Sequence, residues 1–362
     1  MNDLNMNRLP VPTWNQCGVN SAPKAAALPE IPGDDWGEAN IAFTLPAGVG
    51  EAENDFTAFS ESGMGEAVDT YLLENATVRH ALTVAEDTKV EAPALFEVTL
   101  DAAHPNALSV LSVDAKAGSS LTVVQVVRGD AENGAAASLT RIRAGENAYV
   151  KLVQVQLLGS HARRWNAVAI EEAKSAKVEQ VRIELGGILS ACGAKAQLAA
   201  SKSEYDLDAV YFGSGNAVLD HNDVSVHTAK DTLCEMHTAG VLTGHADKIL
   251  RGTIDFRRGA KRGVGHESED VLLFSPAARN RTAPLILCGE EEVEGQHAAS
   301  IGRLDEAKLY YLRSRGLSEE QARRLMVDAR FAPAIEKIPL AALQDEVREA
   351  AARRLDDAES MD

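Results

Sequence analysis

The segment AGSSLTVVQV at residues 117–126 is followed by the similar segment AGENAYVKLV at residues 144–153, which starts 27 positions later. A third, weaker copy begins near Ser175. Each copy joins a turn to a strand, and such a unit must stack on its neighbours because it cannot bury its apolar face alone. The repeat therefore favours a solenoid of stacked turns, a parallel β-helix. An antiparallel sandwich, with a coincidental likeness between two strands, is the alternative that the pattern leaves open.

The sequence around this repeat keeps the period of β-strands from about residue 38 to residue 295. Apolar and polar side chains alternate at residues 153–157, 181–185 and 224–226, as they do in half-buried strands. Glycines and small polar residues separate these segments. We therefore predict a mainly β body at residues 38–303.

The N-terminal segment is rich in proline. Six of the twelve prolines lie within the first 46 residues. Proline breaks both helix and sheet interiors, so regular structure there must be short. We predict that residues 1–37 form an extended arm packed on the body.

After Leu304 the apolar period becomes that of helices. Asp305 is a suitable N-cap for a first helix, and Leu309 and Leu312 supply its apolar stripe. Gly316 stands where a left-handed residue would end that helix.

A second helix is predicted directly after the first. Ser318 and Gln321 have the spacing of a capping box, in which each side chain accepts a hydrogen bond from a backbone N–H. Pro333 and Pro339 are expected to interrupt the helical pattern, and residues 340–355 to form a last helix. Residues 304–362 are thus predicted to be a small helical domain.

The composition excludes several kinds of partner. The chain has 362 residues, a formal charge of −18 and a pI near 5.0, so it would repel nucleic acid and anionic membranes.

Residues 1–13 are too polar for a signal peptide, and apolar runs such as residues 271–274 fall far short of the roughly 20 residues that span a bilayer. No phosphate-binding loop of the G-x-x-x-x-G-K-[ST] type occurs. We expect a soluble, cytoplasmic protein.

Cysteine usage points to the same compartment. The four cysteines form no C-x-x-C pair, which is typical of free thiols in a reducing environment. They are Cys17, Cys192, Cys234 and Cys288.

Two adjacent segments carry a family resemblance: QHAASIGRLD at residues 296–305 and LYYLRSRGLS at residues 309–318. They resemble the SufB/SufD signature, S-H-G-A-T-x-G-x-[IL]-D followed by L-F-Y-L-x-S-R-G-[IL]. Gln296 and Ala298 replace the usual Ser and Gly, while the spacing has no gaps. Gly302, together with the lack of a Cys-Gly-Ala-His segment, makes the chain more similar to SufD than to SufB.

The resemblance implies a fold and a role. The fold is a right-handed parallel β-helix with a small C-terminal helical domain. The role is that of a non-catalytic scaffold subunit in iron–sulfur cluster assembly, which pairs with SufB and recruits SufC, an ABC-type ATPase, through its helical tail. No cofactor is expected to bind stably, but a transient iron–sulfur cluster would form at an interface between subunits.

The resemblance also implies which residues carry that role. From chemistry alone a lone histidine is more often a hydrogen-bonded structural residue than a ligand. The family places the histidine of this motif, His297 here, at the contact with SufB, where it would act as a metal ligand or a proton acceptor. Cys288 is a candidate second ligand, or else a small buried strand residue. Tyr310, Arg313 and Arg315 are candidates for docking the ATPase, or else pack and cap the helices.

Other interpretations stay open at this point. Six histidines fall within 77 positions, but none has the spacing that aims two imidazoles at one ion unless stacked turns bring them together: His221, His227, His237, His245, His266 and His297. One group of acidic and basic residues fits a β-helical polysaccharide lyase or hydrolase: Asp220, Asp223, Asp247, Lys248, Arg251 and Asp255. A homodimeric structural protein that pairs through an exposed end turn is the third possibility.

Overall fold

Two nine-stranded sheets form the body of the chain in a computed structural model that describes residues 5–13, 15–23, 28, 36, 40–52, 59–303 and 306–359. The strands, numbered in chain order, are β1 (Asn40–Thr44), β2 (Val49–Glu51), β3 (Val78–Val84), β4 (Ala94–Leu100), β5 (Asn106–Ala115), β6 (Ser120–Gly129), β7 (Ala135–Ala144), β8 (Tyr149–Leu158), β9 (Arg163–Glu172), β10 (Lys177–Glu184), β11 (Leu189–Leu198), β12 (Glu204–Gly213), β13 (Val218–His227), β14 (Leu233–Leu242), β15 (Asp247–Phe256), β16 (Gly263–Leu273), β17 (Arg279–Cys288) and β18 (Val293–Arg303). The helices are α1 (Glu66–Asn75), α2 (Glu306–Ser314), α3 (Glu319–Ile335) and α4 (Ala341–Glu359).

Successive strands alternate between the two sheets. Sheet A contains β1 and the even-numbered strands from β4 to β18, and sheet B contains β2 and the odd-numbered strands from β3 to β17. From β3 onward each strand pairs in parallel with the strand two places later in the chain. The predicted mainly β solenoid is therefore confirmed and the sandwich is wrong. The right-handed coil stays a prediction.

The repeat that suggested the solenoid is real, but the repeat length inferred from sequence similarity was two residues too short. Ser120 pairs with Tyr149, 29 positions further on, whereas the letters suggested 27. The reason lies in the preceding turn, whose left-handed residue is Gly118 (φ 66°) in one copy and Asn147 (φ 57°) in the next. Both residue types tolerate that backbone conformation, so glycine does not mark the same position in each turn. Ser175 (φ 54°) occupies this position in the third copy.

The main core lies between the two sheets. It contains inward-facing side chains of both, such as Leu152 and Met236 from sheet A and Ile142 and Phe256 from sheet B. Inward-facing positions repeat at the same register in each turn, so side chains stack in columns along the solenoid.

The outer face of sheet A is covered by the helical tail. Phe331 of α3 and Val347 of α4 are fully buried in a second core against Val153 and Val181. An ion pair of 3.3 Å between Arg330 and Asp270 also joins α3 to the sheet. Burial of several large apolar side chains, each worth roughly 1.5–3 kcal/mol, stabilises the tail on the body.

The outer face of sheet B is covered by α1 and by the described part of the N-terminal arm. Asn7 is completely buried, and its Nδ2 donates hydrogen bonds to Asp220 Oδ1 (2.6 Å) and to the carbonyl of Cys192 (3.2 Å). The described residues of the arm are thus packed on the body. Much of residues 24–39 lies outside the described residues, so the boundary between arm and body stays a prediction.

The helical tail follows the sequence pattern with one exception. Ser318 and Gln321 form the predicted capping box, with hydrogen bonds of 2.8 and 3.1 Å, and Gly316 has a positive φ of 99°. The expectation that Pro333 interrupts the second helix was wrong, because it lies inside α3, which ends at Ile335. The buried apolar face of α3 offsets the lost backbone hydrogen bond. The proposed cap Asp305 lies outside the described residues. Among the described helices, none is long and apolar enough to span a bilayer.

Candidate interface site at the open end of the solenoid

The two ends of the solenoid differ. At the first end the edge strands are short: β1 has 5 residues and runs antiparallel to β4, and β2 has 3 residues and runs antiparallel to β3. At the last end, among the described residues, β17 and β18 each pair on one side only, with β15 and β16. Two unpaired strand edges therefore lie side by side at the end that carries His297.

His297 lies in β18, in a column of inward-facing side chains. The register pairs it with Glu267 of β16. Glu267 pairs with Met236 of β14, and Met236 pairs with Leu207 of β12. Leu207 and Met236 are buried in the core between the sheets. His297 is exposed because no described turn follows to cover it.

Directly beneath this imidazole is a buried carboxyl that sequence reasoning missed. Glu267 is 7% exposed, and its Oε2 has no hydrogen-bond partner. Burial, together with the nearby carboxylates of Asp223 and Glu269, raises the pKa of Glu267 to about 7, although Lys248 acts in the opposite direction. The glutamate occupies a position that is apolar in the two preceding turns.

The cations near Glu267 are held by other carboxylates. The Lys248 ammonium donates to Glu269, which also accepts hydrogen bonds from Tyr211 (3.0 Å) and Thr282 (2.5 Å). Arg182 makes two hydrogen bonds of 2.7 and 2.8 Å to Asp223. These buried pairs are satisfied by each other, and Glu267 has no cation of its own.

The residues that suggested a lyase do not form one site. Lys248 points into the solenoid toward Glu269. Asp220 and Arg251 pair with each other at 2.8 Å on the opposite side of sheet B, beneath the N-terminal arm. Asp255 pairs with Arg257 at 3.0 Å. Because these side chains leave the sheet on different faces, they cannot act on one substrate.

Cys288 ends β17 at the same open end as His297. It pairs with Phe256, a core residue, so it occupies the last position of an inward-facing column of sheet B. Its thiol is exposed, contrary to the interpretation as a small buried residue. Cys192 and Cys234 are buried instead, and burial raises the pKa of both thiols.

The stacked turns do not gather the clustered histidines into a metal site. His221 and His227 lie inside the solenoid, where burial lowers the pKa of both imidazoles. His237 and His266 share Glu235 on the outer face of sheet A, at 3.9 and 2.8 Å. Within the described residues, no three His, Cys, Asp or Glu side chains are arranged to hold a metal ion.

The candidate docking residues lie on the surface of α2. Tyr310 is 76% exposed. Arg313 is 3.4 Å from Glu319, and the Arg315 guanidinium lies 5.2 Å from the centre of the Tyr311 ring. α2 and the turn that follows it therefore present two exposed tyrosine rings, Tyr310 and Tyr311, together with Arg313 and Arg315.

Comparison with known proteins gives one family match. The family "SUF system FeS cluster assembly, SufBD core domain" matches residues 98–330. The iron–sulfur cluster assembly protein SufD of Bacillus subtilis is 32% identical over 135 residues, which are 37% of this chain and 31% of that protein. The SufBD family protein slr0076 of Synechocystis is 25% identical over 212 residues, 58% of this chain and 47% of that protein. The alignments thus span less than half the length of these relatives.

Proposed function

Because the chain belongs to the SufBD family of iron–sulfur cluster assembly proteins and is most like SufD, we propose that it is a non-catalytic scaffold subunit of a cytoplasmic cluster-assembly complex. It would pair with a SufB-like subunit through the open end of the solenoid. It would dock a SufC-like ABC ATPase through the helical tail.

The difference between the two solenoid ends carries this proposal. The edge strands β17 and β18 present rows of unpaired backbone N–H and C=O groups, which a partner's strands can satisfy. At the other end the edge strands β1 and β2 are only 5 and 3 residues long, and such short edges are poor templates for pairing. Association through strand edges would therefore use the end where His297 and Cys288 are exposed.

The exposed imidazole gives that interface its chemistry. Neutral imidazole binds iron and accepts protons, so His297 would serve as a ligand or a proton acceptor for a cluster under assembly. The Cys288 thiolate would be a second, softer donor. The cluster is cargo, and it would leave the complex when complete.

Replacement of one imidazole tests the proposal. In a complex reconstituted with SufB-like and SufC-like subunits, His297→Ala should leave folding and co-purification intact but abolish cluster formation, measured by visible absorption and bound iron and sulfide. His245→Ala removes another exposed histidine, in the turn between β14 and β15, and should form clusters normally. Undiminished cluster yield in His297→Ala would refute the proposed role.

The same open end could instead receive a second copy of this chain. Light scattering of the purified chain, with and without the SufB-like subunit, distinguishes the two arrangements. A homodimer that persists when the SufB-like subunit is present would refute the heterodimer.

A further inference from the structure

We infer that Glu267 is a further protein donor of the site that His297 opens, and that the Glu267 and His297 side chains together bind a divalent cation of the ferrous type. Opposing-subunit groups or water would supply the other ligands. This inference rests on the proposed function, because it assigns a ligand class to the same interface.

The register carries the first step. Glu267 and His297 are directly paired residues of the adjacent strands β16 and β18, and both belong to the column of inward-facing side chains. Paired strands lie about 4.8 Å apart, which allows a carboxylate and an imidazole to reach one ion. His297 is the outermost member, so an ion can reach the pair from the open end.

The second step concerns the space available to the Glu267 carboxyl. Gly252 of sheet B faces Glu267 across the interior, and a Cβ atom at that glycine would lie 1.7 Å from Glu267 Oε1. Gly252 has an ordinary backbone conformation, since it is absent from the positions of positive φ. Only glycine leaves enough space at position 252, and the Glu267 carboxyl occupies that space.

The charge balance is the third step. Glu267 Oε2 is buried without a hydrogen bond, and the neighbouring cations Lys248 and Arg182 are paired with Glu269 and Asp223. A buried carboxylate without a partner is costly, and a bound cation removes that cost.

The donor types suit the cation. Imidazole and carboxylate are both ligands of ferrous iron in proteins. Two protein donors hold an ion weakly, which is appropriate for cargo that must leave and for a site completed by a second subunit.

The test uses Co²⁺, an air-stable probe for ferrous sites, with the full chain alone and in complex with the SufB-like subunit. Calorimetric titration should show Co²⁺ binding that is weakened at least about tenfold in Glu267→Gln and in His297→Ala. Glu294→Gln removes an exposed carboxylate from β18, the strand of His297, and should bind Co²⁺ like the wild type.

Thermal unfolding gives an independent measurement. Without metal, Glu267→Gln should melt at a higher temperature than the wild type, since it removes a buried acid, and its Tm should no longer rise with Co²⁺. Equal Co²⁺ affinity of the wild type and Glu267→Gln, or no Co²⁺ binding by the wild-type complex, overturns the inference. Glu267→Gln should still co-purify with the SufB-like subunit, so loss of the ligand claim would leave the proposed pairing standing.

Discussion

At the scale of single residues, several polar groups inside the solenoid are held by specific partners. His227 shows this clearly. Its ring nitrogens lie 3.0 Å from Ser225 Oγ and 2.8 Å from Thr232 Oγ1, and its ring packs 4.6 Å from the centre of Phe256. Both hydroxyls satisfy a neutral imidazole, and no carboxylate compensates a charged one, so burial lowers the pKa of His227 to about 4.

This shift predicts a pH dependence of stability. The unfolded chain, with a histidine pKa near 6.5, binds this proton more readily than the folded chain does. The contribution of His227 is therefore complete above about pH 6.5 and is lost as the pH falls toward about 4, to an extent on the order of 3 kcal/mol. Urea unfolding at a series of pH values should show a shallower decline in His227→Gln than in the wild type.

The exposed His245 provides the control. His245→Gln should keep the wild-type pH profile, because its imidazole lies in an exposed turn. Parallel profiles for the wild type and His227→Gln would contradict the prediction.

Sequence could place His297 but not Glu267. The motif around His297 marks it whatever the surrounding structure. Residues 266–270, His-Glu-Ser-Glu-Asp, are polar on both faces of the strand, so alternation cannot tell which acids point inward. Only the register, which stacks Glu267 on Met236 and beneath His297, shows that this acid is buried. The exposure of Cys288 could not be predicted from the sequence either. An inward-facing strand residue is buried only if another turn of the solenoid stacks on it.

At the scale of elements, the helical tail divides into a packed part and an exposed part. α3 and α4 bury apolar side chains on sheet A, whereas α2 exposes Tyr310 and Tyr311. Exposed aromatic rings beside arginines are typical of the residues that dominate binding energy at protein interfaces. The ATPase contact that we propose therefore belongs to α2.

A double variant of α2 tests this assignment. Tyr310→Ala combined with Arg313→Glu removes the exposed ring and reverses a charge without touching the buried face of the tail. Affinity for the SufC-like ATPase, measured by biolayer interferometry, should fall by at least about a hundredfold, as expected for loss of roughly 3 kcal/mol at a hot spot. Deletion of the whole tail is less informative, because it uncovers the apolar outer face of sheet A.

The matched control reverses another exposed charge of the tail. Arg353→Glu on α4 changes a side chain that is 63% exposed and should leave ATPase affinity unchanged. Similar losses in both variants would mean that the net charge of the tail, and not α2, governs binding.

Local patterns predicted elements well when a single interaction defines the boundary. Ser318 and Gln321 fix the start of α3 through two hydrogen bonds that the sequence encodes directly. Pro333 gave the wrong boundary because the packing of Phe331 and Ile335 on sheet A outweighs the local cost of proline. The turn alignment failed for a related reason, since Gly118 and Asn147 are interchangeable in a left-handed turn.

At the scale of the whole molecule, the first end of the solenoid, the closed end, has short edge strands and the open end has long ones, and this asymmetry favours assembly through the open end. Stacked parallel turns carry no intrinsic stop, so an end must be capped or paired. β1 and β2 cap the first end by reversing direction. β17 and β18 are the longer edges, so we expect pairing through them, and two subunits joined at this end form a closed pair and not a filament.

Thiol chemistry can locate the partner on this end. In the isolated chain Cys288 should react with iodoacetamide, while buried Cys192 and Cys234 should not. Bound SufB-like subunit should slow alkylation of Cys288 at least about tenfold, since access governs thiol reactivity. Glu51→Cys places a thiol on β2 at the closed end, where it should react equally with and without the partner. Protection of the β2 thiol instead of Cys288, measured by mass spectrometry, would place the partner on the closed end and refute assembly through β17 and β18.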